Sequence, residues 1–269
     1  MAAKRTTPPS HDLDALHRHL DYLNLPFIRE HYTEHAREAA EHHSDHLDFL
    51  ARLVEGEAQG RQDRCVERRI RLARFPVRKN LEQFRWNWPK KINRLQVQNL
   101  FRLKFIDEAA NVIFIGGVGL GKSHLAIALG LAACHQQNSV LFASAIDAVN
   151  TLAAAQAIGR LKHELRRYVR PRVLILDELG YLPIDKNGAD LLFQIISQRY
   201  ERGSIVITTN RVYKKWPAIF NNDSTLTAAV LDRLLHHAES ITIEGKSFRM
   251  KDQIDEQSEA VIDPTAAVQ

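Results

Sequence analysis

The sequence has little of the residues that mark several classes of protein. Only two of its 269 residues are cysteines, Cys65 and Cys134. They can form at most one disulfide and cannot supply a four-cysteine zinc site. With 12 glycines and 9 prolines, the chain also lacks the composition of collagen-like or low-complexity proteins. We therefore expect a folded protein whose thiols are reduced.

Long apolar runs are missing as well. A helix that crosses a membrane needs about 20 consecutive apolar residues, and charged or polar residues interrupt every apolar run of this chain before that length. The first residues, MAAKRTTPPSHDLD, have a basic start without the apolar stretch of a secretory signal. The sequence therefore predicts a cytoplasmic protein that has no membrane partner.

Acidic charge is scarce in one stretch of the chain. Residues 1–60 carry six Lys/Arg and eleven Asp/Glu, whereas residues 61–104 carry fourteen Lys/Arg and three Asp/Glu, a local net charge of +11. Five arginines there recur at a spacing of three or four, which places them on one side of a helix. They are Arg61, Arg64, Arg68, Arg71 and Arg74. We call these five residues the arginine ridge.

The arginine ridge has the charge expected of a surface that contacts the phosphates of double-stranded DNA. A solvated helix face that only aids solubility is the alternative. A second basic stretch competes with it as a DNA site, and it contains Arg160, Lys162, Arg166 and Arg167.

The spacing of apolar residues changes along the chain. Up to about residue 74 it follows a helical period and predicts about three helices. From residue 111 onward, short apolar runs alternate with longer helical stretches, a pattern typical of a parallel sheet covered by helices on both faces. We therefore predict an α/β fold with a small all-α domain at residues 1–75, a second domain at residues 76–252 and a mobile tail at residues 253–269.

A glycine-rich segment follows the first predicted strand. Residues 116–123, GGVGLGKS, match G-x-x-x-x-G-K-[ST] at every fixed position, and a predicted helix begins directly after them. In this motif, which we call the P-loop, backbone N–H groups surround the phosphates of a nucleoside triphosphate. The predicted nucleotide-binding residues are Gly116, Gly117, Val118, Gly119, Leu120, Gly121, Lys122, Ser123 and His124. Lys122 would reach the β- and γ-phosphates, and the Ser123 hydroxyl would bind Mg²⁺.

Polar residues follow two later apolar runs. Asp177 and Glu178 end the run VLILDE, and Asn210 ends SIVITTN. Asp177 is predicted to hold Mg²⁺ through water, together with Ser123, and Glu178 to orient and deprotonate the attacking water. Asn210 is predicted either to position that water or to sense the γ-phosphate. The pair of carboxylates implies hydrolysis of ATP, although Asn210 alone is also an ordinary turn residue.

The P-loop segment offers only Lys122 as a cation, so a further cation is sought elsewhere. Arg233 lies in a predicted helix more than a hundred residues downstream and is the candidate for an arginine that acts on a neighbouring subunit. A structural ion pair with Asp232 or Glu239 is the alternative. The aromatic cluster of Phe84, Trp86 and Trp88 can stack on an adenine or pack in the core, and we favour packing for most of it.

These residues together resemble one family. The segments FPVRKNLEQF, GKSHLAIALG, LDELGYLP, LLFQIISQRYERGSIVITTN, FNNDSTLTAAVLDRLLHH and GKSFRM resemble those of the IstB-like ATP-binding proteins. That family comprises AAA+ helper ATPases of insertion-sequence transposition and is related to the DnaC helicase loaders. The resemblance implies that Asp177 and Glu178 are the Walker B pair, Asn210 the sensor-1 residue, Arg233 the arginine finger and Arg249 a sensor-2-like arginine.

The resemblance also implies a function. It suggests an ATP-dependent AAA+ oligomer that assembles on target DNA through ATP-bridged interfaces, remodels that DNA and stimulates a cognate transposase. The N-terminal helices would bind DNA and partner proteins. A replicative helicase loader of the DnaC type is the principal alternative, and an enzyme that phosphorylates a small molecule is a third, for which the sequence offers no acceptor base.

Overall fold

The computed structural model describes residues 13–248. Its N-terminal part consists of three helices, which confirms the helical region expected from the sequence. They are α1 (Leu13–Tyr22), α2 (Pro26–Glu41) and α3 (His46–Ala73). Proline fits the first position of α2 because a backbone N–H at that position has no partner within the helix.

Glu57 of α3 stabilises the start of α2. Its side chain is buried, and its Oε2 accepts the backbone N–H groups of Phe27 at 2.8 Å and Ile28 at 3.4 Å. A carboxylate at this place satisfies N–H groups that have no partner within the helix, and it also complements the positive end of the helix dipole. The other carboxylate oxygen accepts a hydrogen bond from Nη2 of Arg64 at 2.8 Å. Arg64 therefore contributes to the packing of these helices.

The chain divides into two compact units within α3, between Glu67 and Arg68. The boundary predicted after residue 75 lies just beyond the end of α3. The predicted domain limits remain a prediction, and the tail expected at residues 253–269 lies outside the described residues.

The second unit alternates helices with strands. After α3 the elements are α4 (Arg94–Leu100), α5 (Lys104–Asp107), β1 (Asn111–Gly116), α6 (Lys122–His135), β2 (Val140–Ser144), α7 (Ala145–Ala157), α8 (Leu161–Val169), β3 (Val173–Leu179), α9 (Lys186–Arg199), β4 (Ser204–Thr209), a short 3-10 helix (Tyr213–Lys215), α10 (Ser224–Leu235) and β5 (Ala238–Ile243).

The five strands form one parallel sheet in the order β2-β3-β4-β1-β5. The predicted α/β fold with a parallel sheet is thereby confirmed. Strands β1, β3 and β4 are almost wholly buried, because helices cover both faces of the sheet. Their carboxyl ends lie at one edge, the usual place for a ligand site in such a sheet.

The sequence analysis did not predict the fifth strand. β5 pairs with β1 along its whole length, from Asn111 opposite Ala238 to Gly116 opposite Ile243. Its buried residues Ile241 and Ile243 alternate with exposed polar ones. Because β5 lies at the edge of the sheet, it does not have the continuous apolar run by which the central strands were found.

Candidate functional site

The P-loop joins β1 to α6 and requires glycine at two positions. Gly119 and Gly121 have φ angles of +75° and +86°, a region that other residues rarely adopt. A Cβ atom on Gly121 would also lie 2.6 Å from Cε2 of Phe84. Gly121 directly precedes the first residue of α6. The P-loop backbone therefore lies at the amino terminus of this helix, the positive end of the helix dipole, where phosphates bind.

Lys122 and Ser123 form the first turn of α6. Nζ of Lys122 donates to the carbonyl oxygen of Gly117 at 2.7 Å, so the amine reaches back across the P-loop. Both residues line a cavity of about 580 Å³, together with P-loop residues 118–121. The cavity has the size of a small-molecule site.

The opposite wall of the cavity comes from the segment between α3 and α4. Lys79, Phe84, Arg85 and Trp88 line it. The indole Nε1 of Trp88 donates to the carbonyl oxygen of Lys246 at 3.0 Å, which fastens this segment to the chain after β5.

Phe84 is buried and borders the cavity at the same time. Its ring packs edge-on against Trp86 at 4.9 Å and against His124 at 5.5 Å between centroids. The position of Phe84 is therefore compatible both with packing in the core and with stacking on an adenine. Adenine stacking remains a prediction. Burial lowers the pKa of His124 below its ordinary value, with a smaller contribution from Lys79, although a hydrogen bond to the Asn80 carbonyl raises it.

Asp177 and Glu178 lie at a β-bulge. Leu176 of β3 is opposite Ile207 of β4, but the next pair is Leu179 and Thr209. Two residues of β3, Asp177 and Glu178, therefore lie opposite the single residue between Ile207 and Thr209, and such a bulge redirects the side chains. Asp177 is buried, whereas Glu178 is exposed and lines the cavity.

The residue opposite the bulge is Thr208, which bonds to both members of the acidic pair. Its Oγ1 donates to Oδ1 of Asp177 at 2.5 Å and accepts the backbone N–H of Glu178 at 2.9 Å. The sequence analysis did not identify Thr208. The only sequence signal is that a threonine pair precedes Asn210 at the same edge of the sheet.

The structure brings most of the predicted nucleotide site together. Lys122, Ser123, His124, Glu178 and Asn210 all line the one cavity. Asp177 lies behind them and is linked to the site through Thr208. The roles predicted for these residues remain predictions.

Of the two predicted arginines, Arg233 stands apart from this group. Arg233 lies on α10, where Nη1 donates to the carbonyl oxygen of Ala229 at 2.9 Å and the guanidinium lies 5.0 Å from the centre of the Phe193 ring. Among the described residues, the cavity lining does not include Arg233. Arg249 lies outside the described residues.

All five arginines of the ridge are exposed. Arg61, Arg64, Arg68 and Arg71 lie within α3, but α3 ends at Ala73 and Arg74 follows it with a φ of +61°. Arg64 is also bonded to Glu57. Whether the ridge binds DNA is left as a prediction.

The oxygen atoms at the site suit Mg²⁺. This ion prefers one or two protein oxygens and keeps several waters when it also binds a phosphate. The Ser123 hydroxyl at the cavity and the Asp177 carboxylate behind it provide such oxygens, so the residues fit the metal that a P-loop uses.

A P-loop after β1 at the carboxyl edge of this parallel sheet, with carboxylates at the same edge on β3, two strands away, defines a P-loop ATPase with the AAA+ fold. The chain belongs to the family of IstB-like ATP binding proteins, whose model matches residues 18–256.

Relatives cover most of the chain. It is 38% identical over 243 residues to the ATP-binding protein of insertion sequence IS21 from Pseudomonas aeruginosa, covering 90% of each chain. It is 37% identical over 240 residues to that of insertion sequence IS5376 from Geobacillus stearothermophilus, covering 89% of this chain and 95% of the relative.

Solved structures share the fold at low identity. AMPPCP-bound DnaA from Aquifex aeolicus matches with a TM-score of 0.52 and 21% identity over 71% of this chain and 58% of that one. The DnaC helicase loader matches with a TM-score of 0.50 and 20% identity over 61% and 96%. None of the helices in the described part of the chain has the length and apolar character needed to cross a bilayer.

Proposed function

We propose that this protein is an ATP-dependent DNA-binding ATPase that assembles on target DNA, remodels it and stimulates a cognate transposase in insertion-sequence transposition. One observation carries the proposal. The P-loop, Glu178 and Asn210 line the same cavity, and they belong to a chain whose relatives are ATP-binding proteins of insertion sequences.

ATP binding is assigned to the P-loop. The backbone N–H groups of residues 116–123 and the Lys122 amine bind the β- and γ-phosphates. When ATP binds, the Lys122 amine gives up its hydrogen bond to the Gly117 carbonyl and donates to phosphate oxygens instead. Ser123 and Asp177 would hold Mg²⁺, which would neutralise phosphate charge.

Hydrolysis is assigned to Glu178 and Asn210. Asn210 orients a water toward the γ-phosphorus, and the Glu178 carboxylate accepts a proton from that water as its oxygen attacks. The bond between the γ-phosphorus and the bridging oxygen breaks, and ADP leaves with that oxygen. Glu178 lies near the carboxyl end of β3 and Asn210 directly follows the neighbouring strand β4, and both line the cavity.

Assembly is assigned to Arg233. Its absence from the cavity lining among the described residues supports a role on a neighbouring subunit, where an arginine can raise turnover by about 10³- to 10⁵-fold. ATP would then stabilise the homo-oligomer, because the nucleotide contacts both subunits. Arg249 is proposed as a second arginine near the nucleotide.

Binding of double-stranded DNA is assigned to the arginine ridge. Arg68→Ala with Arg71→Ala leaves the Arg64 bond to Glu57 intact, so it tests charge without disturbing α2. We expect weaker binding to unrelated DNA sequences alike, and a slope of log K against log salt that is smaller by about two. Lys162→Ala with Arg166→Ala on α8 is the matched control. If this control lowers the slope and the ridge variant does not, the DNA site lies on α8.

The whole proposal is tested by strand transfer in vitro. Purified cognate transposase is assayed with target DNA and ATP, with and without this protein. We expect wild-type protein to stimulate strand transfer and Lys122→Ala protein to have no effect. Stimulation that is independent of ATP would contradict the proposal. Loading of a replicative helicase without any effect on the transposase would also contradict it and would favour the helicase-loader alternative.

A further inference from the structure

Glu178 has a backbone conformation that needs support. Its φ is +60°, in the left-handed region that residues with a Cβ rarely adopt and that persists only where the surroundings enforce it. The bulge also interrupts the regular hydrogen bonding between β3 and β4 at this residue. A contact outside the regular strand pairing must therefore stabilise this backbone conformation and accept a hydrogen bond from the Glu178 N–H.

Thr208 supplies that contact. Its hydroxyl oxygen accepts a hydrogen bond from the N–H of Glu178 at 2.9 Å, and its O–H donates one to Oδ1 of Asp177 at 2.5 Å. The Thr208 side chain is buried, with 1% of its surface exposed. A fixed hydroxyl that both accepts and donates links the two carboxylate residues of the site.

We infer that Thr208 is a positioning residue that holds the β3 bulge so that Glu178 lines the cavity while the buried Asp177 keeps the position from which it would hold Mg²⁺. This inference rests on the proposed roles of Glu178 and Asp177 in hydrolysis. Thr208 also lines the cavity, but its hydroxyl is engaged by Glu178 and Asp177, so it acts through these two residues. Its removal should therefore slow the chemical step more than it weakens nucleotide binding.

The test compares two substitutions at the same position. Thr208→Val keeps the shape of the side chain but lacks the hydroxyl, and Thr208→Ser keeps the hydroxyl. Loss of a residue that orients a ligand or catalytic group commonly costs about 10- to 100-fold in activity. We expect Thr208→Val to lower kcat by about that factor, to raise the Mg²⁺ concentration for half-maximal rate and to leave ATP affinity near that of wild type. Thr208→Ser should restore kcat.

Ser204→Ala is the matched control for stability. Ser204 lies at the opposite end of β4, is fully buried and donates its hydroxyl proton to the Phe105 carbonyl at 3.0 Å. The variant should lower the melting temperature without lowering kcat. If Thr208→Val does not fold, Thr208→Cys, which has only a weak donor, replaces it.

The outcomes separate this inference from the function on which it rests. Glu178→Gln is measured beside the other variants. If Glu178→Gln is inactive but Thr208→Val has wild-type kcat, Glu178 remains the base and the inference about Thr208 is overturned. It is also overturned if the Val and Ser variants are equally slow, or if Ser204→Ala is as slow as Thr208→Val. Wild-type turnover by Glu178→Gln would instead refute the proposed hydrolytic role.

Discussion

The buried guanidinium of Arg199 holds the amino-terminal ends of β3 and β4 together. Arg199 ends α9, with only 1% of its surface exposed. Its Nη1 lies within 3.0 Å of the carbonyl oxygens of Tyr168, Val169 and Pro171, and its Nη2 within 3.0 Å of those of Arg172 and Ser204. Two of these carbonyls end α8, where carbonyl groups have no partner within the helix.

The free energy that these contacts contribute follows from two opposing effects. A hydrogen bond to a charged group contributes about 1.5–3 kcal/mol, so the four N–H groups of Nη1 and Nη2 at the lower value contribute about 6 kcal/mol. The buried Nε has no hydrogen-bond partner among the described residues and adds nothing. Burial lowers the pKa of Arg199 from 12.5 to about 10, which corresponds to a cost of about 3 kcal/mol for the charged form. The group remains charged at pH 7, and the difference predicts a net contribution of about 3 kcal/mol.

Arg199→Met should therefore lower the free energy of unfolding by about 3–5 kcal/mol, because it leaves several buried carbonyls unpaired. Urea unfolding followed by circular dichroism measures the change. Arg202→Met, which alters an exposed arginine three residues away, is the matched control and should change the free energy by less than about 0.5 kcal/mol. An Arg199→Met protein as stable as the control would refute this reasoning.

Two further predictions concern subunit assembly and the cysteines. Neither the Lys122→Ala protein nor the Arg233→Ala protein should hydrolyse ATP by itself. A mixture of the two should recover part of the activity when DNA is present, because some subunit interfaces then pair an intact P-loop with an intact Arg233. An inactive mixture whose subunits are shown to co-assemble would exclude action between subunits. At pH 8 a thiol reagent should label the exposed Cys65 and spare Cys134, because burial raises the pKa of Cys134 to about 11 despite nearby Arg69. Mass spectrometry of the labelled peptides measures this, and equal labelling of both thiols would contradict it.

The parts of the fold found from sequence are those with a strong local signal. The continuous apolar runs of β1 to β4 predict buried parallel strands, and the spacing within residues 116–123 predicts the P-loop without reference to any distant residue. The fifth strand lacks such a run because only one of its faces is buried.

The remaining parts of the site depend on contacts between distant segments. In a regular strand, Asp177 and Glu178 would point to opposite faces, and the bulge that redirects them becomes visible only when β3 is aligned with β4. Thr208 and Arg199 were missed for the same reason, because both partners of Thr208 and four of the five partners of Arg199 lie about 30 residues away in sequence. Lys79 and Phe84 reach the cavity from a segment that has no regular periodicity.

The most direct test of the proposed function is ATP turnover by Glu178→Gln. ATP binding and phosphate release are measured in the presence of Mg²⁺ and DNA for wild type, Lys122→Ala and Glu178→Gln. Glu108→Gln is the matched control, because Glu108 is exposed and lies outside the cavity lining. We predict that Lys122→Ala does not bind ATP. Glu178→Gln should bind ATP as wild type does but hydrolyse it about 10²- to 10⁴-fold more slowly, and Glu108→Gln should match wild type. Hydrolysis by Glu178→Gln at the wild-type rate would contradict the proposed function of this site.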